Sequence, residues 1–185
     1  MRNSSLHICA LIPTYNNANT ILDVVRRTRK QLKDIIVVVD GCTDNTLDLL
    51  QELEFPITIV SYSKNKGKGY ALKQGFRKAI ELGFEYALTI DSDGQHYPED
   101  IPLLIDAIKK HPDSMIIGSR KLTSENVPGK NKFANKFSNF WFRLQTHINL
   151  PDTQTGFRIY PLNKLYGLSL LTSRYEAELL LLVLA

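Results

Sequence analysis

The chain has 185 residues, 43% hydrophobic and 23% charged, with a formal net charge of +4. That length buries roughly 70% of the extended chain's surface, enough for one sizeable core and too little for two full domains. The composition excludes global disorder, and the basic balance points to an anionic partner without naming it. Cys9 and Cys42 cannot build a disulfide framework and read as free thiols in a reducing compartment. No window reaches the ~18 apolar residues of a membrane span, and the apolar run before Pro13 is too short for a secretory signal.

In chain order, His7 to Ile12 is a near-continuous apolar run stopped by Pro13, the pattern of a strand buried on both faces. Ile21 to Lys33 follows as a helix, with Asn19 or Thr20 as its cap. It has an apolar stripe through Val24 and Val25 and a basic face through Arg26, Arg29 and Lys30. Ile35 to Val39 is a second strand, stopped by Asp40-Gly41. Thr43 is positioned to cap a helix from Asp44 to Leu53. Ile57 to Val60 is a third strand. Lys68 to Leu82 is a helix ending at Gly83, with Leu72, Phe76, Ala79 and Ile80 on one stripe. Tyr86 to Ile90 is a fourth strand, Pro98 to Lys110 a helix opened by proline and two acids, and Ser114 to Ile117 a fifth strand.

After Arg120 the rhythm changes. Lys121 to Lys132 reads as a loop, Asn131 to Ile148 as a helix carrying Phe133, Phe137, Phe140 and Trp141, Thr155 to Tyr160 as a strand, and Ser173 onward as a helix. The apolar ending Leu179 to Ala185 has no helix stop, which predicts a chain cut inside a longer protein. The alternation of strands and helices predicts an α/β fold: an open, mostly parallel (mixed) sheet flanked by helices, with ligands gathered at the carboxyl ends of the strands.

Polar residues at those strand ends carry the chemistry. The first strand delivers Pro13, Thr14, Tyr15 and Asn17, and the second Asp40 and Gly41. The fourth delivers Asp91, Ser92, Asp93, Gln95 and His96. At strand spacing Asp91 and Asp93 point the same way, and two carboxylates on one face repel unless a cation joins them. Hard oxygen ligands suit Mg²⁺ or Mn²⁺, and Gln95 adds a neutral oxygen. Alone, an Asp-x-Asp pair is as well explained by a solvated turn. Asp40 can accept from a nucleobase N–H or a ribose hydroxyl, or cap its own turn. Lys64 to Gly69 is not a P-loop, because the Gly-Lys-Ser/Thr ending is absent. Its glycines allow close backbone approach and its lysines raise the local potential. His96 reads as a structural residue of the turn before Pro98 rather than a metal ligand. Aromatic residues interleaved with Lys130, Lys132 and Lys136 fall on one helical face, which argues for core or membrane-surface contact rather than nucleic acid.

Taken in order, Ile12-Pro-Thr-Tyr-Asn16, Val37-Val-Val-Asp-Gly-Cys-Thr-Asp44, Asn65-Lys-Gly-Lys-Gly69, Asp91-Ser-Asp-Gly-Gln-His96 and Asp152-Thr-Gln-Thr-Gly-Phe-Arg158 resemble the family 2 glycosyltransferases. The branch they resemble is that of the polyprenyl-phosphate sugar synthases, including dolichyl-phosphate mannose and glucose synthases. The resemblance implies a GT-A fold over the whole chain as one catalytic domain, and a UDP- or GDP-sugar donor. It implies a nucleoside pocket lined by Pro13, Thr14, Tyr15, Asn17, Asp40 and Gly41, with Lys68 and Ser92 also on the nucleotide-sugar. It implies a metal, Mg²⁺ or Mn²⁺, held with the donor diphosphate by Asp91, Asp93 and Gln95. Arg120, Lys130 and Lys132 would reach the diphosphate or acceptor, and Arg158 would close the site near the acceptor. The implied acceptor is a polyprenyl phosphate, and the implied location is cytoplasmic, peripheral at the cytoplasmic face of the membrane.

Two departures stand out: Asn17 where relatives carry Glu, and Lys130 and Lys132 where they carry Arg, which keeps the charge but loses the bidentate fork. Such an acceptor is already ionised, so transfer with inversion needs no strong base; a sugar hydroxyl acceptor would need one, with Asp152 as the fallback. A sugar-phosphate nucleotidyltransferase is the weaker enzyme reading, since the loop after the first strand has neither Gly nor a basic residue. A non-enzymatic nucleotide-sugar binder is the third.

Overall fold

The computed structural model describes residues 6–118 and 155–165. β1 (Ile8–Thr14) and β2 (Ile35–Asp40) are buried along their whole lengths. They read as continuous apolar runs because helices cover both faces of the sheet they centre. β3 (Thr58–Tyr62) and β4 (Tyr86–Thr89) flank them, and all four are mutually parallel. β5 (Ile116–Ile117) lies beyond, separated from β4 by β6 (Arg158–Pro161), which runs antiparallel to both. Among the described residues the sheet order is β3-β2-β1-β4-β6-β5. The mixed α/β sheet expected from the sequence is therefore observed, with β6 inserted where sequence spacing alone offers no pairing rule.

The helices divide between the two faces. α1 (Ile21–Gln31), α2 (Thr46–Gln51) and α4 (Ile101–Lys110) pack with Ile8, Ala10 and Ile12 of β1. α3 (Lys68–Glu81) covers the opposite face, where Cys9, Leu11, Ile36 and Val38 meet Ala71, Leu72 and Phe76. Alternate residues of one strand thus feed two cores. Strand order moves outward from β1 to β3 and then returns past β1 to β4. The loops after β1 and β4 consequently part company at the centre of the sheet, the crevice where open α/β sheets bind ligands.

Gly75 sets the depth of α3 on the sheet: a Cβ there would overlap the Leu11 side chain, which is fully buried. Gly75→Ala should therefore lower stability by about 1–3 kcal/mol through overpacking, outweighing the gain in helix propensity of about 1 kcal/mol. Urea unfolding of the variant checks this; a midpoint at or above that of the parent chain would refute it.

One capping expectation needs correction, and a second holds in position only. α2 starts at Thr46 with Asn45 before it, and the Thr43 side chain does not cap it. Thr43 instead pairs with Asn16, its N–H donating to Asn16 Oδ1 (2.8 Å) and its Oγ1 accepting from Asn16 Nδ2 (3.1 Å). Thr20 is the N-cap residue of α1, as expected, but makes no side-chain capping bond; its hydroxyl donates to the Ser92 carbonyl at 2.6 Å. Both threonines join loops across the rim rather than closing helices.

Candidate active site

The carboxyl ends of β1, β2 and β4 and the start of α3 enclose a cavity of about 610 Å³. Pro13, Thr14, Tyr15 and Asn17 line it from the end of β1, and Asp40 from β2. Asn65, Gly67, Lys68 and Ala71 line it from the approach to α3, and Asp91, Ser92 and Asp93 from the turn after β4. Gly41, Gln95 and Arg158 do not line it. Arg120, Lys130, Lys132 and Asp152, with the aromatic helix and the C-terminal helix expected from the sequence, lie outside the described residues.

Asp40 fastens one wall. It is 3% exposed. Its Oδ1 accepts from the Lys66 N–H (2.8 Å), and its Oδ2 from the Gly67 N–H (2.8 Å) and Asn65 Nδ2 (3.1 Å). The loop can lie this close because Gly41, at φ +64, has no Cβ; one would overlap the Lys64–Asn65 backbone. The basic string therefore works largely through its backbone. Lys66 Nζ turns to the aromatic rings, 4.5 Å from the Tyr70 centroid and 5.7 Å from that of Tyr62. Lys68 is the lysine of this string that reaches the cavity. Asn65 heads the Asn65–Gly69 motif in the sequence, which assigns it no role of its own; its side-chain bond to Asp40 supplies one.

The β1 and β4 loops are tied together. Asn17 Nδ2 donates to Ser92 Oγ at 2.8 Å, alongside the Thr20 bond to the Ser92 carbonyl. Asn16 holds a left-handed φ of +52, a conformation asparagine tolerates. Thr14 Oγ1, buried on the cavity wall, has no hydrogen-bond partner among the described residues. A ligand hydroxyl or carbonyl would satisfy it.

The acidic pair departs from the sequence argument in geometry. β4 ends at Thr89, so Asp91 and Asp93 sit in a turn that passes through Gly94 at φ +77, and strand alternation does not orient them. Both nevertheless line the cavity. Asp93 is exposed, and its Oδ1 accepts the Gln95 N–H at 2.9 Å. Asp91 is more enclosed. Lys68 Nζ lies 2.6 Å from its Oδ1 and His96 Nε2 lies 3.7 Å from its Oδ2. Gly156 packs against it so closely that a Cβ would overlap the carboxylate. His96 is buried and stacks on Phe157 at 5.5 Å, so it serves the turn, and through it Asp91. Arg158 is fully buried on β6, with Nη1 donating to the Tyr160 hydroxyl at 3.2 Å.

Burial alone would raise the Asp91 pKa. The contacts with His96 and Lys68 outweigh it and hold the carboxyl far below the usual carboxylate range. A depressed folded-state pKa means that the unfolded chain binds the proton more tightly. Asp91 then contributes stability that is complete above the ordinary value of about 3.9 and lost as pH falls toward the folded value. Urea midpoints below pH 5 should fall less steeply in Asp91→Asn than in the parent chain; identical acid limbs would contradict this.

Cys9 and Cys42 are both free, and burial pushes the Cys9 thiol up to about 12. Among the described residues no group of three or more His, Cys, Asp or Glu side chains could hold a metal by itself. The described cavity lining carries three carboxylates, Asp40, Asp91 and Asp93, against one ammonium, Lys68.

An open α/β sheet with a cavity at its switch point defines the class of folds that bind ligands at the carboxyl ends of their strands. The comparisons narrow it: the chain belongs to glycosyl transferase family 2, whose family model matches residues 9–166, and it is a glycosyltransferase domain. A UDP-N-acetylglucosamine–dolichyl-phosphate N-acetylglucosaminyltransferase of Methanococcus voltae is 34% identical over 190 aligned positions, covering 91% of this chain and 76% of the relative. An undecaprenyl-phosphate mannosyltransferase of Micrococcus luteus is 30% identical, covering 89% and 70%. Among solved structures, glucosyl-3-phosphoglycerate synthase from Mycobacterium tuberculosis, in complex with Mn²⁺, UDP-glucose and phosphoglyceric acid, superposes with a TM-score of 0.74 at 19% identity. That match covers 96% of this chain and 64% of the synthase. S. aureus TarS in complex with UDP-GlcNAc gives a TM-score of 0.63 at 20% identity, and this chain spans 48% of it. These likenesses establish the GT-A fold expected from the sequence.

Proposed function

We propose that this domain transfers a sugar from a UDP- or GDP-sugar to a polyprenyl phosphate, with inversion at the anomeric carbon and with a divalent cation, Mg²⁺ or Mn²⁺. The observation that carries the reading is the acidic turn Asp91-Ser92-Asp93 facing Lys68 across a switch-point cavity. The polyprenyl-phosphate activities of the relatives support the acceptor, and the Mn²⁺ and UDP-glucose in the solved synthase support the donor and the ion.

The residues fit such an ion. The described lining is net negative, and a nucleotide diphosphate is negative too, so without a cation the two repel. A hard dication that takes one or two carboxylates and completes its shell from water and phosphate oxygens suits a site with Asp91 and Asp93 and no larger ligand cluster among the described residues. When bound, it would neutralise charge developing on the departing diphosphate.

The chain's own groups do the rest. Thr14, Tyr15 and the loop fastened to Asp40 frame the nucleoside. Asn17 and Thr20 hold Ser92, and so fix the acidic turn against the β1 loop. Lys68 supplies positive charge beside the diphosphate. The acceptor phosphate is ionised near neutral pH, so its oxygen attacks the anomeric carbon while the carbon–oxygen bond to the diphosphate breaks, with no proton to remove. No helix among the described residues is long and apolar enough to cross a membrane. In this reading the domain meets its lipid acceptor peripherally at the cytoplasmic face, where Lys130 and Lys132 would contribute charge.

The test is to incubate the chain with Mn²⁺, UDP-GlcNAc, UDP-glucose or GDP-mannose, and a polyprenyl phosphate. Sugar should appear in an organic-extractable phosphodiester whose anomeric NMR coupling shows inversion. A retained anomer, or transfer to saccharides and not to the lipid phosphate, would overturn the reading.

A further inference from the structure

Lys68 stands at an unusual place. It is the first residue of α3, a 14-residue helix with no acidic residue in its first turn. A cation at a helix N-terminus opposes the helix dipole, so local helix physics does not select it there. Its backbone is pinned from the preceding side, since the Gly67 N–H donates to Asp40 Oδ2 at 2.8 Å. Its ammonium reaches across the cavity to Asp91 Oδ1 at 2.6 Å, with 23% and 21% of the two side chains exposed.

Asp91 has little room to yield. Gly156 packs against its carboxylate, and His96 Nε2 lies 3.7 Å from its other oxygen. The His96 ring is in turn stacked on Phe157. A cation seeking Asp91 therefore meets an oxygen already held by an ammonium ion, and must displace it or share it at the cost of like-charge repulsion. A metal arriving without nucleotide adds a second positive charge beside Lys68 and brings no anion to offset it. A metal arriving with a diphosphate does bring one, and the phosphate oxygens can take the displaced ammonium.

We propose that Lys68 guards the cation position, holding Asp91 until a diphosphate is present, so that metal and nucleotide load together. The inference rests on the donor reading above for its nucleotide half; its metal half stands on the Lys68–Asp91 pair alone. Coupling of this kind is reciprocal: each ligand tightens the other by the same factor.

The test uses the full chain and its Lys68→Met and Lys68→Gln variants, with thermal melts to establish that each is folded. Mn²⁺ binding is followed by electron paramagnetic resonance without nucleotide, and then with saturating UDP or GDP. In the parent chain, nucleotide should tighten Mn²⁺ by about tenfold or more. In both variants Mn²⁺ alone should bind about tenfold tighter than in the parent, and the tightening by nucleotide should shrink by about the same factor, leaving the part that the diphosphate oxygens supply directly. A purely structural lysine would give the opposite sign, a disturbed cavity with weaker Mn²⁺. Unchanged or weaker Mn²⁺ affinity in both folded variants overturns the proposal. If neither UDP nor GDP binds the parent chain, the donor reading fails, while the comparison with Mn²⁺ alone still decides the role of Lys68.

Discussion

Asp91→Asn/Asp93→Asn should lower sugar transfer by about 10²–10³-fold or more while leaving the fold intact. That is the range lost when a preorganised electrostatic stabiliser of a leaving group is removed. The amide keeps the shape of each side chain, including the close packing of residue 91 on Gly156. It removes both charges that would face the donor diphosphate in the proposed reaction. Either single variant should be less severe, and Asp93→Asn should affect stability less than Asp91→Asn. Asp93 is exposed with a local bond to the Gln95 N–H, whereas Asp91 anchors Lys68 and neighbours His96. Initial rates over a Mn²⁺ titration, with unfolding curves for each variant, measure both effects. Full turnover in the double variant would remove the acidic turn from the mechanism.

Asp40→Ala should cost about 3 kcal/mol in stability and raise the donor KM by roughly tenfold or more. Three hydrogen bonds converge on this buried carboxylate, two from the backbone of the Lys64–Gly67 loop. Bonds to a charged acceptor contribute about 1.5–3 kcal/mol each and are not additive, so the total lies nearer one strong bond than three. Asp40→Asn is a sharper probe. Its amide presents an N–H where the carboxylate accepted one, so either the Lys66 or the Gly67 N–H loses its partner. The loop then loosens without a cavity being made. A KM for donor unchanged in both variants would mean that the nucleoside does not depend on this wall.

Much of the fold was legible because buried parallel strands write themselves as continuous apolar runs. Ile35 to Val39 and Tyr86 to Ile90 fall within a residue of β2 and β4. The division of helices between two faces was not legible, because it depends on the order in which strands pair. β6 gave no sign that it would enter between β4 and β5 in the antiparallel sense. At the site, residue types were more legible than geometry. Strand alternation predicts that Asp91 and Asp93 share a face, yet they reach the cavity through a turn. The lysines of the Lys64–Gly69 string drew attention by charge, whereas Lys66 and Gly67 act on Asp40 through backbone N–H groups that no composition reveals. Thr43 looked like a cap because threonine caps helices; its better partner, Asn16, is distant in sequence. Tertiary hydrogen bonds of this kind override local propensity, and only the folded chain displays them.

The central claim is that Asp91 and Asp93 hold a dication against the donor diphosphate. Diffraction from crystals of this chain soaked with Mn²⁺ and UDP or GDP, collected at the manganese edge, addresses it directly. The account predicts an anomalous peak within about 2.5 Å of an Asp91 or Asp93 carboxylate oxygen, allowing for the ~2.0–2.1 Å bonds of small hard dications, and bridging to the diphosphate. The nucleoside would lie against Thr14, Tyr15 and the Asp40 wall. A nucleotide seated there with the manganese bound elsewhere, or a diphosphate turned away from the acidic turn, would contradict it.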